Sequence, residues 1–321
     1  MWDLLCGCGG FSQGSVDAGW RVAFACDHWD LALTTHSANH PGTEHRRLEL
    51  PCAIPFPTDG RHFHVHGSPP CQKFSTAHTK RDAQGAKQGV AEAVDLVEWY
   101  LRTALASGAS SWSMEQVASK RVVEIVERVR RSAPGRVAYG TFDLHELGVP
   151  QTRRRLIAGS PALIARLQRL CSHDRRRSVR DVIPRPRGTH LRHSKGWCRA
   201  HKRVGRLDGE AKYVYEQASF FDGAKPVDGP APTVVCNGDM RWTWVERGVP
   251  RRARITVPEL AALQTFPPGY KFPKSQHDAR MLIGNAVPPL VAQLLLSGAA
   301  RPDRPASPSL RRPPPALRWR D

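Results

Sequence analysis

The sequence predicts an α/β protein built on a parallel sheet, with a smaller module late in the chain. Three observations predict this fold class. Strand-like and helix-like segments alternate through residues 1–165, a glycine-rich turn joins the first strand to the first helix, and arginines crowd together from residue 171 onward. With 321 residues, 40% of them apolar, the chain is long enough to bury a core of this kind.

The first part of the chain is predicted to run strand, helix, strand. Strands are indicated by short apolar runs, and helices by apolar residues that recur every three or four positions. In order, the segments are the strand, turn and helix of "DLLCGCGGFSQGSVDAGW", the strand "RVAFACD", the helix "HWDLALTTHSAN", the strand "HFHVHG", the helix "QGVAEAVDLVEWYLRTALASG", the strand "SWSMEQV", the amphipathic helix "ASKRVVEIVERVRRS", and the strand and loop "RVAYGTFDLHELG".

The remainder divides into three predicted parts. A small basic region carries "HDRRRSVRDVIPRPRG", helical periodicity returns with "TVPELAALQTFP" and "ARMLIGNAVPPLVAQLLLSGAA", and the end is rich in Pro and Arg without periodicity. The end is predicted to be a disordered tail. The predicted boundaries are 1–170, 171–232, 233–298 and 299–321.

The charge of the chain favours a polyanionic partner. Lys and Arg number 48 against 29 Asp and Glu, for a net charge of +19 and a pI near 10.3, which suits nucleic acid. A GC-rich genome would explain the choice of Arg over Lys but not the net charge. No uninterrupted apolar run reaches the roughly 18 residues that span a bilayer, and no signal peptide is predicted. We expect an intracellular protein that has no membrane partner.

The cysteines and histidines do not predict a metal site. Eight cysteines in an intracellular chain are expected to be reduced, and no C-x-x-C occurs. His62, His64 and His66 alternate with Phe63 and Val65, which predicts a strand with one apolar face. No Cys/His pair at zinc spacing accompanies them.

The turn "DLLCGCGGFSQG" indicates a cofactor loop when it is combined with Asp27. Its glycines let the backbone approach a ligand, and an acidic residue at the end of the second strand can accept hydrogen bonds from ribose hydroxyls. A glycine-rich turn alone is equally well a structural turn. Neither a Gly-Lys-Ser/Thr sequence nor G-x-G-x-x-G spacing is present. A nucleoside cofactor without a pyrophosphate fits better, and S-adenosylmethionine is the candidate.

With this loop, a series of motifs in chain order resembles those of DNA (cytosine-5)-methyltransferases. The resemblance implies a Rossmann-like, S-adenosylmethionine-dependent methyltransferase sheet with a small target-recognition domain at residues 171–232. It covers most of residues 1–165 and 230–296. The segments that carry it are "DLLCGCGGFSQG", "CDHWDLALTTHSANHP", "GSPPCQKFS", "MEQV", "QTRRRLI", "PAPTVV", "RITVPELAALQTFP" and "GNAVPP".

The resemblance assigns catalytic roles. Cys71 would add to C6 of cytosine, and a thiolate is needed because C5 is a poor nucleophile. Glu115 would donate a proton at the N3 edge. Arg155 would contact O2, and Arg153 would help to place the base or its phosphate. Pro70, with the proline before it, would aim the sulfur.

The resemblance also implies two binding sets. A mobile loop from residue 73 to 89 would close over a base extruded from the duplex. Residues that would line the cofactor site are Asp3, Leu5, Gly7, Gly9, Gly10, Asp27, His28, Pro70, Asn285 and Val287. Residues that would contact DNA are Gln72, Ser75, Lys80, Arg81 and Thr233.

Several positions depart from the family pattern. Leu5 stands where an aromatic residue is usual, Gln116 replaces an Asn, and Arg47 occupies the place of an acidic cofactor contact, for which Glu49 is a substitute. His28 takes the adenine-stacking position, with Trp29 next to it. These departures bear on cofactor affinity and turnover rather than on fold.

Two other functions remain open at this point. One is a tRNA methyltransferase of the same fold, although the Cys-Phe-Thr-x-x-Tyr signature of that subfamily is absent. The other is a non-catalytic DNA-binding relative, against which the presence of Cys71, Glu115, Arg153 and Arg155 argues. The expected partner is double-stranded DNA, bound by a monomer. A cognate restriction endonuclease is expected if the chain serves restriction-modification. The expected compartment is the cytoplasm of a prokaryote or virus-infected cell, or a eukaryotic nucleus.

Overall fold

The computed structural model describes residues 1–70, 96–184, 189–190, 214–217, 225–236, 238, 240–246 and 249–298. Within them the chain folds into a seven-stranded sheet flanked by helices and a second sheet of five strands. The loop predicted to close over the base and the predicted tail, residues 73–89 and 299–321, lie outside the described residues.

The larger sheet carries the candidate site. Its strands are β1 Trp2–Leu4, β2 Phe24–Asp27, β3 Glu44–Arg47, β4 His64–Gly67, β5 Ser111–Val117, β6 Ala138–Asp143 and β7 Arg154–Gly159. Their order in the described part of the chain is β3-β2-β1-β4-β5-β7-β6, and the strands from β3 to β5 pair in parallel. The strand order reverses between β1 and β4, and a doubly wound sheet binds its ligand at the carboxyl ends of the strands at this point.

β7 departs from the predicted parallel pattern. It lies between β5 and β6 and is antiparallel to both. The connection from β6 to β7, residues 144–153, is too short for the helical crossover of about a dozen residues or more that parallel pairing needs. The sheet is therefore mostly parallel, with one antiparallel strand that the sequence pattern did not reveal.

Helices pack on both faces of this sheet and against the second sheet. They are α1 Gly10–Asp17, α2 Asp30–Asn39, α3 with described residues 96–106, α4 Lys120–Ser132, α5 Pro161–Leu170, α6 Val179–Val182, α7 Val257–Leu263, α8 Gln276–Asn285 and α9 Pro289–Leu296. One core joins α1, α5 and α9 to the sheet, and another joins α3 and α4 to the opposite face. Both faces of the central strands are thus buried.

The amphipathic helix predicted after β5 is confirmed as α4. Its buried residues Val122, Ile125, Val126 and Val129 recur at helical spacing, with charged residues between them. The Ser119 side chain accepts a hydrogen bond from the backbone N–H of Val122 and caps the helix. Local sequence therefore determines both the start and the buried face of this helix.

The strand predicted from "HFHVHG" is present as β4, and both of its faces are buried. In β4, Val65 is 0% exposed, but His64 and His66 are also buried, at 0% and 1%. β4 is a central strand between β1 and β5, and α1 covers the face that carries the histidines. The alternating histidines form a buried polar row on the face of β4 opposite to Val65.

The second sheet is antiparallel and contains β8 Thr189–His190, β9 Val214–Gln217, β10 Lys225–Pro226, β11 Met240–Glu246 and β12 Val249–Arg254. Its order is β10-β9-β11-β12-β8. It extends past residue 232, the predicted end of the recognition region, because β11 pairs with β9 and β12 pairs with β8. Between β10 and β11 the chain returns to the larger domain, where the Thr152 N–H donates to the Ala231 carbonyl at 2.7 Å.

The carboxyl-terminal helices pack inside the protein. Among the described residues, Gln276–Leu296 is the one helical stretch long and apolar enough to cross a membrane, and 78% of its most apolar window is buried inside the fold. The backbone carbonyl of Pro289 in α9 lies so close to α1 that a Cβ on Gly14 would meet it at 1.9 Å. This burial is typical of a core helix in a globular protein.

Candidate active site

The candidate site lies at the carboxyl edge of the larger sheet. There the glycine-rich loop follows β1, β2 ends at Asp27, β4 runs into Pro69 and Pro70, and β5 carries Glu115 near its end. Because these four strands are parallel neighbours, their ends meet along one edge. The motifs that lie far apart in sequence are thus brought together.

Asp27 is fixed by the backbone around it. Its Oδ2 accepts the N–H of Gly7 at 2.9 Å, and its Oδ1 accepts the N–H of Trp29 at 3.0 Å. His28 Nδ1 lies 3.1 Å from the same Oδ1. The carboxylate is 7% exposed and keeps lone pairs that can accept hydroxyl protons of a ribose.

The glycine-rich loop is open on one side and closed on the other. Gly7 has φ 53, and a Cβ there would meet no atom of the described residues within 4 Å, which leaves room for a ligand. At Gly10 a Cβ would lie 2.2 Å from the carbonyl oxygen of Val287, so α1 packs directly on the backbone of the "GNAVPP" segment. This cradle fits a nucleoside cofactor such as S-adenosylmethionine.

Other predicted cofactor residues lie around this cradle. Leu5 is half-buried with a left-handed φ of 62, and Asn285 is exposed at the end of α8. His28 has a side chain that is 58% exposed, and Pro70 is exposed. Their contacts with a cofactor stay predictions.

Asp3 lies beneath the loop. It is 1% exposed, and its Oδ2 accepts the Ser12 hydroxyl at 2.6 Å. Burial raises the pKa of Asp3 to about 7. Ser12 Oγ is also 3.0 Å from His36 Nε2, and His36 Nδ1 is 2.7 Å from His45 Nε2. The hydrogen bond between Asp3 and Ser12 thus joins β1 to α1. The predicted contact of Asp3 with the cofactor stays a prediction.

Glu115 and Arg155 form a nearly buried ion pair. Arg155 Nε lies 3.0 Å from Glu115 Oε1, and the two side chains are 13% and 10% exposed. In the antiparallel pairing of β5 and β7, Val117 is opposite Arg155. Glu115 and Val117 point to the same face of β5, so Arg155 reaches Glu115 diagonally across the two strands. Apart from this ion pair, Oε1 has no hydrogen-bond partner in the part of the chain that the structure describes.

Gln116 ties the nucleophile loop to β5. Its Nε2 donates to the Pro69 carbonyl at 2.9 Å, and its Oε1 accepts the N–H of Val117 at 2.6 Å. Gln116 is 1% exposed. The residue that departs from the usual Asn therefore keeps a defined contact with the loop that leads to residue 71.

Arg153 has a role that the sequence did not predict. It is 2% exposed, and its guanidinium donates to the carbonyls of Val234, Gly284 and Ala286 at 2.9, 3.2 and 3.2 Å. These carbonyls belong to the "PAPTVV" and "GNAVPP" segments. Arg153 thus joins the two closing segments to β7, and its predicted contact with the base or phosphate stays a prediction.

Two buried glutamines complete this junction and were missed by sequence reasoning. Gln151 Nε2 donates to the Leu263 carbonyl and to Gln264 Oε1, both at 2.8 Å. Gln264 Nε2 donates to the Ile283 carbonyl at 2.6 Å. Gln151 opens the "QTRRRLI" motif, but nothing in the local pattern marks Gln264. The predicted DNA contact Thr233 lies at the same junction, where its hydroxyl donates to the Thr152 carbonyl.

Some predicted site residues lie outside the described residues. These are Cys71, Gln72, Ser75, Lys80 and Arg81. Among the residues that are described, no group of three His, Cys, Asp or Glu side chains is arranged to hold a metal ion.

The fold and the site define a class of protein before any comparison is made. A doubly wound sheet that holds an acidic residue and an open glycine-rich loop at its switch point, with no phosphate-binding loop, is a Rossmann-like methyltransferase domain.

The comparison with protein families is more specific. The family described as C-5 cytosine-specific DNA methylase matches residues 1–102 and 136–299, and the chain belongs to this family. It is therefore a DNA (cytosine-5)-methyltransferase, which transfers a methyl group to cytosine in DNA. This family and its fold imply the use of S-adenosylmethionine.

Two curated relatives cover nearly the whole chain. Type II methyltransferase M.HgiDI of Herpetosiphon aurantiacus is 28% identical over 315 residues, which are 89% of this chain and 89% of the relative. Type II methyltransferase M.AplI of Arthrospira platensis is 25% identical over 331 residues, which are 94% of this chain and 87% of the relative.

Solved structures share the fold. A prophage-encoded DNA modification methyltransferase of E. coli is similar with a TM-score of 0.61 and 19% identity, over 92% of this chain and 97% of its own. The S. pombe Dnmt2 methyltransferase is similar with a TM-score of 0.56 and 14% identity, over 92% and 96%. At these identities the likeness concerns the fold alone.

Proposed function

We propose that the chain transfers the methyl group of S-adenosylmethionine to C5 of a cytosine flipped out of duplex DNA, through a covalent bond between Cys71 and C6. The observation that carries this proposal is the ion pair of Glu115 and Arg155. It is almost buried, it lies at the carboxyl edge of the sheet, and its Oε1 has no hydrogen-bond partner among the described residues. A buried carboxyl oxygen that has an ion-pair partner but no hydrogen bond can still form a hydrogen bond with a ligand.

The cofactor would be held by the cradle at the end of β1 and β2. S-adenosylmethionine supplies, when bound, a methyl group activated by a positive sulfonium. Asp27 would accept hydrogen bonds from its hydroxyl groups, and the open face of Gly7 would admit it. The other proposed contacts are Asp3, Leu5, Gly9, Gly10, His28, Pro70, Asn285 and Val287.

Cys71 is the proposed nucleophile. A free thiol has a pKa of about 8.5 and is only slightly ionised near pH 7, so the site must favour the thiolate. A lone pair of the sulfur forms the bond to C6, and the C5–C6 π electrons move toward C5, which then takes the methyl group. C5 then loses its proton to solvent, and the electrons of that C–H bond re-form the C5–C6 double bond as the S–C6 bond breaks and its electron pair returns to the sulfur. The proton shared with N3 goes back to Glu115.

Glu115 and Arg155 are the proposed contacts of the cytosine ring. Glu115 donates a proton toward N3, which removes the negative charge that builds up on the ring when the sulfur attacks. Arg155 contacts O2 and orients Glu115 through their 3.0 Å ion pair. Both roles require the base to enter the site edge-on, which stacking inside a duplex prevents, so the base is flipped out.

The DNA contacts are proposed from sequence and charge. A net charge of +19 suits the phosphate backbone. Gln72, Ser75, Lys80, Arg81 and Thr233 are the proposed contacts near the flipped base. The region 171–232, with the strands that extend it, is the proposed target-recognition module.

The biological setting is proposed from the relatives. M.HgiDI and M.AplI are both named Type II methyltransferases. We therefore place this chain in a restriction-modification system with a cognate endonuclease, acting as a monomer in a cell compartment that holds DNA.

The proposal is tested by methyl transfer from labelled S-adenosylmethionine to duplex DNA, with tRNA in parallel. Wild-type protein should label DNA, and Cys71→Ser should abolish the label. Cys171→Ser is the matched control, because Cys171 follows α5 beside the segment after the outermost strand β6, two strands away from β5, and its loss should leave labelling intact. Labelling of tRNA alone, or of neither substrate, would contradict the proposal.

The covalent bond is tested separately with duplex DNA that contains 5-fluorocytosine. Fluorine at C5 cannot leave as a proton does, so the Cys71–C6 bond persists after methyl transfer. A cross-linked species should form with wild-type protein and not with Cys71→Ser. Methylation of ordinary DNA without any cross-link would argue against the covalent route.

A further inference from the structure

Two adjacent strands carry polar side chains on the same buried face. β4 and the loop after it present His64, His66 and Ser68 at alternate positions, and β5 presents Ser111 and Ser113. The strands are parallel, with His64 opposite Ser111 and His66 opposite Ser113. Opposite positions project from one face of a sheet, so these polar groups meet in the interior.

These side chains form one continuous line of hydrogen bonds, here called the histidine ladder. His64 Nδ1 is 2.9 Å from Ser111 Oγ, and His64 Nε2 is 2.9 Å from Ser113 Oγ. His66 Nδ1 is 2.9 Å from the same Ser113 Oγ, and His66 Nε2 is 2.9 Å from Ser68 Oγ. The ladder begins where β5 starts and ends at Ser68, the last residue before the two prolines.

The ladder is fully satisfied when both rings are neutral. A neutral imidazole has one N–H and one acceptor nitrogen, and a serine hydroxyl donates once and also accepts. If the Ser111 hydroxyl donates to His64 Nδ1, His64 Nε2–H donates to Ser113 Oγ. The Ser113 hydroxyl then donates to His66 Nδ1, and His66 Nε2–H donates to Ser68 Oγ. Burial lowers the pKa of His64 to about 3 and that of His66 well below its usual value. The rings are thus neutral near pH 7, and each bond sets the direction of the next.

The last ring of the ladder is held firmly. His66 is 1% exposed, and the ring of Phe11 lies parallel to it with the centroids 3.3 Å apart. On the other side of β4, Asp3 of β1 is opposite His66 in the sheet. Rotation of the imidazole would break its two hydrogen bonds and its contact with Phe11, so the position offered to Ser68 Oγ is fixed.

We propose that His66 is a positioning residue for the nucleophile. By holding Ser68 Oγ it fixes the backbone that leads into Pro69 and Pro70, and so aims Cys71 at C6 of cytosine. This inference rests on the proposed function of Cys71. Aliphatic residues could fill the same space in β4, but they would leave the Ser68 side chain without this bond.

The next two residues extend the same constraint. Gln116 Nε2 donates to the Pro69 carbonyl at 2.9 Å, and the rings of Pro69 and Pro70 keep φ near about −65°. Each of the three residues that precede the nucleophile is therefore restricted, and Ser68 is the one whose restriction comes through its side chain.

The experiment measures the single-turnover rate of the covalent adduct on 5-fluorocytosine DNA with Ser68→Ala. We expect this rate to fall about tenfold, the effect of one lost hydrogen bond, while KM for DNA and for the cofactor stays within about twofold. Ser68→Thr keeps the hydroxyl and should recover most of the rate. A Ser68→Ala rate equal to wild type would overturn the proposal.

A matched control lies at the other end of the same two strands. Ser110 Oγ is 2.8 Å from His62 Nδ1 at the exposed start of β4 and β5, outside the histidine ladder. Ser110→Ala removes the same kind of contact and should leave the adduct rate unchanged. If the adduct rate of Ser110→Ala falls as much as that of Ser68→Ala, the rate depends on general weakening of the strand pair and not on positioning of Cys71.

A double substitution separates positioning by His66 from direct action of Ser68. His66→Leu removes the donor, and its rate should fall as much as that of Ser68→Ala. The pair His66→Leu/Ser68→Ala should be no slower than the slower single variant, because both remove the same bond. If the rate loss in the double variant equals the product of the two single losses, the role of His66 is overturned.

A readout that needs no activity keeps this test separate from the proposed function. Amide hydrogen exchange of the peptide that follows Ser68 should be faster in Ser68→Ala than in wild type or Ser110→Ala. If wild-type protein methylates no DNA, the proposed function fails while faster exchange still supports the constraint on the loop. If wild type is active and exchange and rate are both unchanged in Ser68→Ala, only the positioning role fails.

Discussion

The two ends of the candidate site are built in different ways. On the cofactor side, Asp27 is fixed by the backbone N–H groups of Gly7 and Trp29. On the base side, Glu115 is held by one ion pair to Arg155, and its Oε1 has no hydrogen bond among the described residues. The first end is satisfied before any ligand arrives, whereas the second leaves an atom for the ligand.

This difference teaches which property each end controls. Backbone donors hold a carboxylate in one place and leave its outer lone pairs for binding. A buried carboxyl oxygen that accepts no hydrogen bond has a desolvation cost that a correctly placed base can offset. Substitutions on the cofactor side should therefore change affinity, and substitutions on the base side should change rate.

The largest expected effect tests the base side. Glu115→Gln removes the proton donor but keeps the shape, so we expect kcat to fall roughly 10²- to 10⁴-fold, the usual range for general acid catalysis. The cofactor Kd should stay within about twofold, as measured by calorimetry. Glu127→Gln on α4, which also loses an Arg partner but at the surface, should turn over like wild type. A Glu115→Gln variant with near-normal kcat would remove the distinction between the two ends.

The next effect concerns Asp3 beneath the cofactor side. Burial raises its pKa from the usual 3.8 to about 7, so folding disfavours its ionised form. The penalty is absent below about pH 4, grows as the pH rises, and is complete above about pH 7. It amounts to about 4 kcal/mol at most. Asp3→Asn cannot ionise, so its stability relative to wild type should increase over this window.

The measurement for Asp3 is urea unfolding of both proteins at several pH values between 4 and 8. The difference between them is needed because buried histidines act in the opposite direction. Burial lowers the pKa of His36 to about 2, and its contribution to stability grows as the pH rises toward the unfolded value. If the difference in free energy of unfolding stays constant across this pH range, Asp3 ionises as readily in the folded chain as in the unfolded chain.

A smaller effect tests the cofactor side directly. Asp27→Asn keeps the size of the side chain but loses the charge and one acceptor, so we expect the cofactor Kd to rise about 10- to 100-fold, or about 1.4 to 2.7 kcal/mol. At saturating cofactor, kcat should stay within a few fold. If kcat falls while Kd is unchanged, the two ends do not divide affinity and rate as described.

The smallest effect lies between the two ends. Gln116→Asn shortens the side chain that reaches the Pro69 carbonyl, and the loss of that bond should lower the free energy of unfolding by about 0.5 to 1.5 kcal/mol. Urea unfolding measures this change. Gln13→Asn, at the surface pair with Asp17, serves as control and should change stability less. If Gln116→Asn leaves the free energy of unfolding unchanged, an Asn side chain can hold the loop as well as the Gln side chain does.

Much of the fold follows from local sequence. The helix α4 was predicted because its apolar positions recur at helical spacing within one short segment. The glycine-rich loop and Asp27 were predicted for the same reason, because each is marked by the residues next to it in the sequence. The sequence analysis did not predict β3, because Glu44–Arg47 contains no apolar residue. It did not predict α5 either.

Other features depend on pairing between distant segments. The antiparallel direction of β7 is not visible in "QTRRRLI", and neither is the burial of His64 and His66 visible in "HFHVHG". Arg153 was expected near the base, but its carbonyl partners come from segments about 80 and 130 residues away. No window of the sequence contains both halves of such contacts.

The sequence by itself determined the chemical groups: a glycine-rich loop with Asp27, a carboxyl group in "MEQV", guanidinium groups in "QTRRRLI" and a thiol after two prolines. Tertiary structure alone decided which of these groups meet. Arg155 reaches Glu115 because Val117 is paired with Arg155, and His66 reaches Ser68 within a ladder because β4 is paired with β5. The register between strands sets these contacts, and register is a property of the whole sheet, because shifting a strand by one residue turns every side chain to the other face.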